Sequence, residues 1–160
     1  MATIDFLEKT EIFKGLTDEQ LKDVQECCRE AAYERGDNIF KEGDKAAFLC
    51  ILEEGTVDLR FDLPGKPTSE ENRVAVIENG MTFLWSGVVP PYVSRLSSYC
   101  TSRSCKIVQV DRQKLLKLFE KDPRAGYVVM SNIAAVVGRR FYSLQEKVAT
   151  SQGFQIMFDW

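Results

Sequence analysis

A mainly β structure with flanking α-helices is the fold class this sequence predicts, and three observations carry that prediction. Between residues 36 and 112, short apolar segments alternate with polar residues at period two, as in Val57-Asp58-Leu59-Arg60-Phe61 and Val74-Ala75-Val76. Such alternation marks half-buried strands. Glycine breaks the segments at Gly36, Gly43, Gly55, Gly80 and Gly87, where its freedom at positive φ suits tight turns. Helical patterns lie on both sides of this region, and many short strands at regular spacing suggest a small closed β structure.

The elements follow in order. Phe6-Leu7 and Ile12-Phe13 read as a short helix and a turn ending at Gly15. Thr17-Asp18-Glu19-Gln20 is a capping box. It opens a helix with Leu21, Val24, Cys28 and Ala31 on one face. After the strands begin, Pro64 to Asn72 is a polar, turn-rich loop, expected at the surface. Asp111 caps a helix through Leu115, Leu116, Leu118 and Phe119. Asp122-Pro123 ends it and suits the first turn of the next.

That last helix is expected from Pro123 to near Val148. Tyr127, Met130, Ala134, Val137, Phe141 and Leu144 follow a 3-4-3-4 spacing, the seam of a coiled coil. Val128, Val129, Ile133 and Val136 add a second apolar face. The seam reads either as a homodimer interface or as one wide face buried within the chain. The apolar tail, Phe154 to Trp160, reads as cover for a groove or as a disordered end.

Composition narrows the function classes. The 160 residues fit one domain, with 44% hydrophobic and 28% charged residues. Twenty-one basic against twenty-four acidic residues leave a net charge of −3, so no general attraction to nucleic acid or acidic membranes is expected. No apolar run is long enough for a membrane helix, and the N-terminus shows no secretory pattern. Five cysteines, Cys27, Cys28, Cys50, Cys100 and Cys105, fit neither a zinc nor a thioredoxin spacing. An odd count without a signal suggests reduced thiols and a cytoplasmic protein. Histidine is absent, which removes Ser–His and Cys–His catalysis. No catalytic residue, no metal site and no cofactor are expected.

Tyr33 to Asp44, with its Arg35-Gly36-Asp37 and Glu42-Gly43-Asp44 turns, and Ile51 to Val57, with Glu53-Glu54-Gly55-Thr56, resemble the opening of the cyclic nucleotide-binding domain family. The resemblance covers about residues 6 to 148. It implies a double-stranded β-helix, a jelly-roll-like β-roll, with N-terminal helices over 5–32, the roll over 33–111, two C-terminal helices over 112–148 and a tail over 149–160. The family's phosphate-binding cassette runs Phe-Gly-Glu-Leu-Ala-Leu, a few variable residues, then Arg-Ala-Ala-Thr. Its glycine and backbone amides meet the cyclic phosphate, its glutamate takes the ribose hydroxyl, and its arginine pairs with the phosphate.

Here the cassette reads Phe83-Leu84-Trp85-Ser86-Gly87-Val88, then Ser94-Arg95-Leu96-Ser97. Phe83 matches. Leu84 replaces the glycine, Trp85 replaces the glutamate, and Ser94 falls at the arginine position with Arg95 one residue beyond. On a strand such a slip turns a side chain to the opposite face. Arg95 therefore faces solvent, or a loop adjustment at Pro90-Pro91 returns it to the pocket. Trp85 reads as a stacking platform for a ligand or as filling of a vacated pocket. The Phe-x-Trp-Ser form with Pro-Pro-Tyr resembles a bacterial subgroup in which the cassette is altered as a block.

Three classes of function remain. The resemblance implies a regulatory module for a cyclic nucleotide or another small anion, signalling to an unknown protein partner. A ligand-free scaffold uses the same fold. An enzyme is the third, and the missing histidines weigh against it. Family members that read DNA carry a helix-turn-helix after the long helix. None follows in this sequence, and direct nucleic-acid binding is not expected.

Overall fold

The computed structural model describes residues 1–152. Helices α1 (Ile4–Lys9) and α2 (Asp18–Gln25) precede eight strands. These are β1 (Cys28–Glu34), β2 (Asn38–Phe40), β3 (Phe48–Glu54), β4 (Val57–Arg60), β5 (Arg73–Ile77), β6 (Thr82–Phe83), β7 (Ser97–Cys100) and β8 (Ser104–Asp111). Helices α3 (Arg112–Lys121) and α4 (Pro123–Ser151) follow. The strands form two antiparallel four-stranded sheets, ordered β1-β8-β3-β6 and β2-β7-β4-β5. This is the β-roll with flanking helices that the sequence predicts.

Local chemistry sets the boundaries. The capping box forms in full: Thr17 Oγ1 accepts from the Gln20 amide at 3.2 Å, and Gln20 Oε1 accepts from the Thr17 amide at 3.0 Å. Asp111 caps α3 by accepting from the Lys114 amide at 2.9 Å. Asp122 caps α4 by accepting from the amides of Arg124 and Ala125, both at 3.1 Å, with Pro123 in the first turn. Gly36, Gly43, Gly55 and Gly80 all adopt φ between +79° and +99°, as their turns require.

One boundary departs from the sequence reading. The N-terminal helices do not reach residue 32. Helix α2 stops at Gln25, and Cys28 begins strand β1. The spacing Leu21, Val24, Cys28, Ala31 suits a helix, but Cys28 to Glu34 pair along their whole length with β8, from Cys28 opposite Val110 to Glu34 opposite Ser104. That continuous ladder outweighs local propensity. At the other end α4 runs to Ser151, slightly beyond the expected Val148. The apolar tail from Phe154 lies outside the described residues.

Two cores meet at the sheet that contains β3 and β8. Cys50, Leu52, Cys105 and Ile107 point into the roll, beside Leu59, Ile77 and Phe83. Leu49, Ile51, Val108 and Val110 point outward, under a helical layer of Leu7, Phe13, Leu21, Leu115, Val129, Ile133 and Val136. Both faces of β3 are therefore covered, which explains the unbroken apolar run Phe48-Leu49-Cys50-Ile51-Leu52. The second apolar face of α4 holds the helix to the roll through Val129, Ile133 and Val136, each at most 2% exposed.

The cassette presses onto β3 at one point. A Cβ on Gly87 would overlap the Phe48 carbonyl, lying 2.5 Å from its carbon and 2.8 Å from the Leu49 amide nitrogen. These are backbone atoms of a central strand and cannot swing aside. Gly87→Ala is expected to cost at least about 2 kcal/mol, lowering Tm by roughly 5 °C or more in a chain of this size. Scanning calorimetry checks this, and a loss below about 0.5 kcal/mol would contradict the close approach.

The cysteines are all free thiols. Burial pushes Cys27 up to about 11, and Cys28, Cys50 and Cys100 up to about 12, from an ordinary value of 9.0. Each folded pKa lies above its unfolded one. The linked stability is therefore fully present below pH 9 and declines as pH rises from 9 toward 12, where the unfolded chain alone gives up protons. At pH 8 the folded Cys27, Cys28, Cys50 and Cys100 should alkylate on the order of a hundredfold more slowly than in denatured chain, because reaction needs the thiolate. Timed iodoacetamide labelling with mass spectrometry reads this directly.

Candidate functional site

The cassette begins where β6 ends. Phe83 is fully buried inside the roll and stacks on Phe40 with ring centroids 5.9 Å apart. Leu84 then takes a left-handed conformation, φ +54° and ψ +38°. This is the position where the family pattern has glycine. A leucine there costs about 1–2 kcal/mol of backbone strain that glycine would not incur. The chain needs the turn but has given up the open space that glycine would leave. Trp85, Ser86 and Gly87 form one turn of 3₁₀ helix. Its amides at Gly87 and Val88 already donate to the carbonyls of Leu84 (2.9 Å) and Trp85 (3.0 Å). They do not form the open anion cradle of the family pattern.

Behind this turn lies a cavity of about 50 Å³. Six of the residues singled out in the sequence line it: Leu84, Trp85, Ser86, Ser94, Arg95 and Leu96. The remaining four serve structure. Phe83 and Val88 are core side chains, and Gly87 is the contact with β3. Ser97 Oγ accepts from the Glu42 amide at 2.9 Å and donates to Asp62. Trp85 is half-buried. It lines the cavity and packs against the helical core.

Arg95 lines the cavity while remaining exposed. The strand argument for its direction does not apply, because β7 starts only at Ser97 and residues 95–96 form a bend. Ser94 is anchored on either side: its amide donates to the Asp44 carbonyl and its carbonyl accepts from the Gly43 amide, both at 2.8 Å. Its hydroxyl donates to the Leu96 carbonyl at 2.6 Å. No ion pair involves Arg95 among the described residues.

Sequence reasoning missed three lining residues, Phe40, Leu59 and Arg140. Arg140 is the consequential one. It extends the inward face of α4, where Val129, Ile133, Val136 and Arg140 recur at steps of four, three and four. That spacing was the available signal, but the apolar pattern ends one step earlier. Arg140 Nη2 donates to the Thr82 carbonyl and lies 3.8 Å from Glu11 Oε1. Glu11 Oε1 accepts from the Thr82 amide at 2.7 Å, and Glu11 Oε2 pairs with Arg139 Nη2 at 3.0 Å. Arg140 Nη1 is buried and has no partner among the described residues. Burial lowers the Arg140 pKa from its ordinary value, with Glu11 opposing that shift.

The chemistry of the lining is therefore two guanidinium groups, two hydroxyls and apolar walls, with no carboxylate. Among the described residues, no group of three or more Cys, Asp or Glu side chains is placed to hold a metal ion. Among the described residues, no helix is long and apolar enough to cross a membrane.

The model of the cyclic nucleotide-binding domain family matches residues 30–122. Among solved structures, the chain is 31% identical to a protein of Geobacter metallireducens GS-15 assigned as a cyclic nucleotide-binding protein. That likeness covers 88% of this chain and 99% of the other, with a TM-score of 0.75. The catabolite activator protein of Thermus thermophilus shares the fold at 20% identity and a TM-score of 0.71, over 89% of this chain and 63% of that one. The cGMP-dependent protein kinase egl-4 of Caenorhabditis briggsae is 22% identical over 115 residues, 72% of this chain but only 15% of the kinase.

Proposed function

Because the chain belongs to the cyclic nucleotide-binding domain family, we propose that it is a regulatory module whose altered cassette takes a small ligand other than a cyclic nucleotide and passes that state to a protein partner. The size of the cassette cavity carries this reading. Pockets that hold drug-sized ligands run to about 300–1,000 Å³, and this one is about 50 Å³. Leu84 and Trp85 occupy the space, and no carboxylate lines the cavity to take a ribose hydroxyl. The same filling by Leu84 and Trp85 favours a second reading, a ligand-free scaffold that uses the fold for interaction alone.

Assembly is proposed as a homodimer through α4. Tyr127, Met130, Ala134, Phe141 and Leu144 are exposed on a face flanking the one that packs on the roll, and only Val137 of the expected seam is partly buried. Tyr127 and Phe141 are 70% and 61% exposed. A stripe of that kind in water is rare for a soluble monomer. The molecule acts by binding rather than catalysis, consistent with the absence of histidine. Free, high-pKa thiols suit the reducing cytoplasm.

Two measurements test these statements. Cyclic AMP and cyclic GMP should bind weakly or not at all. Each lost charge-assisted hydrogen bond costs about 1.5–3 kcal/mol, and two such losses move a micromolar site toward the millimolar range. A micromolar Kd by calorimetry for either nucleotide would sink the altered-ligand reading. Phe141→Glu should convert the dimer to a monomer while leaving the strand signal in circular dichroism unchanged. Light scattering that finds wild-type chain monomeric at tens of micromolar would contradict the seam.

A further inference from the structure

We infer that Cys100 and Cys105 are an oxidisable pair, joined as a disulfide by a small hydroperoxide and released by thiol reductants, that ties the two sheets of the roll together where β7 gives way to β8. The clamp does not depend on the ligand reading above.

Three observations lead to it. The first is topology. Cys100 ends β7 and lies opposite Val57 of β4, whereas Cys105 begins β8 and lies opposite Tyr33 of β1. The two residues therefore belong to different sheets, yet both side chains sit in the one core inside the roll. The second is proximity. Cys100 Sγ donates to the Ser102 carbonyl at 3.5 Å, and Cys105 Sγ lies 3.3 Å from Ser102 Oγ and donates to the Thr56 carbonyl at 3.1 Å. The two thiols also interact directly with one another. The third is space. Gly55, at φ +99°, makes the turn between β3 and β4, and a Cβ there would lie 3.1 Å from Cys105 Sγ. The other cysteines lack this arrangement. Cys27 and Cys28 donate to the Asp23 and Val24 carbonyls. Cys50 lies opposite Gln109, four positions along β8 from Cys105, a separation of roughly 13 Å on a strand.

The chemistry takes two steps. The thiolate of one cysteine attacks a peroxide oxygen, the O–O bond breaks, and a sulfenic acid forms while the other oxygen leaves as water with the thiol proton. The second sulfur then attacks the sulfenic sulfur, the S–O bond breaks, and the oxygen leaves as water with the second thiol proton. Two thiols and one hydrogen peroxide thus give one disulfide and two waters, with sulfur oxidised and the peroxide reduced. Burial slows the first step, because both side chains are at most 2% exposed and the thiolate is scarce. It does not slow the second, where contact between the sulfurs replaces a bimolecular encounter. The cover over the pair is only the turn Thr101-Ser102-Arg103, with Arg103 and Ser104 exposed, so local opening there admits a small oxidant without unfolding the roll.

Treating the folded full chain with hydrogen peroxide, alkylating it in denaturant and digesting it with trypsin tests this. Cleavage after Arg95, Arg103 and Lys106 puts the two cysteines on separate peptides, Leu96–Arg103 and Ser104–Lys106. These should emerge as one linked species, about 2 Da lighter than the sum of the reduced peptides, and dithiothreitol should separate them. Cys27, Cys28 and Cys50 should be recovered alkylated from the same sample. Oxidised chain should melt at a higher temperature than reduced chain, since the bond constrains the unfolded state, and dithiothreitol should erase the difference. Cys105→Ser should lose both the link and the melting shift, leaving Cys100 as a sulfenic acid that dimedone traps. The wild-type result decides even if the variant does not fold. Recovery of Cys100 and Cys105 as free thiols at a peroxide dose that oxidises the denatured chain overturns the inference. So does a link from either residue to Cys50, or Cys100 overoxidised without a link. An oxidised form that melts at or below the reduced form overturns the clamp.

Discussion

The junction at Thr82 ties the two halves of the molecule together. Its amide donates to Glu11 from the N-terminal turn, and its carbonyl accepts from Arg140 of α4. Thr82 itself is fully buried on a strand of only two residues, β6. Such a short strand makes few ladder contacts of its own, pairing with β3 only at Cys50–Phe83 and Ile51–Thr82. Its place is held from outside by charged groups at the edge of the roll. Removing either partner would leave a buried polar or charged group unmatched, which costs far more than the pair contributes net. The cassette follows immediately after β6, so the position of the site depends on this clamp.

The same junction explains why the site and the long helix are inseparable. Arg140 holds β6 through Nη2 and is among the residues that line the cavity. A group bound there would act on α4 through a side chain of α4. The exposed seam lies on another face of that helix. The cavity lining and the exposed apolar stripe thus share one element, helix α4.

The cassette keeps and loses its glycines according to what they touch. Gly87 remains, because β3 backbone lies against it. At position 84 the turn is left-handed with a leucine in it. Much of this was legible in the sequence. Thr17, Asp111 and Asp122-Pro123 act through neighbours a few residues away, so their caps could be read directly. The glycine turns are equally local. The run from Cys28 to Ala32 was misread because its apolar spacing fits both periods, and only pairing with β8, some eighty residues on, decides it. Six cavity residues came from the cassette itself, but Arg140 lies 55 residues after Trp85 in sequence. Nothing local distinguishes an arginine that turns inward from its exposed neighbour Arg139.

The central proposal is that this cassette, lined by Leu84 and Trp85 and by no carboxylate, does not take a cyclic nucleotide. The most direct test is a ¹⁵N-resolved NMR titration of the full chain, following the Trp85 indole N–H and the amides of Ser86 and Arg140. The absence of any saturable response to cyclic AMP or cyclic GMP below millimolar concentration is what this account predicts. Saturation of these groups by either nucleotide at micromolar concentration would contradict it.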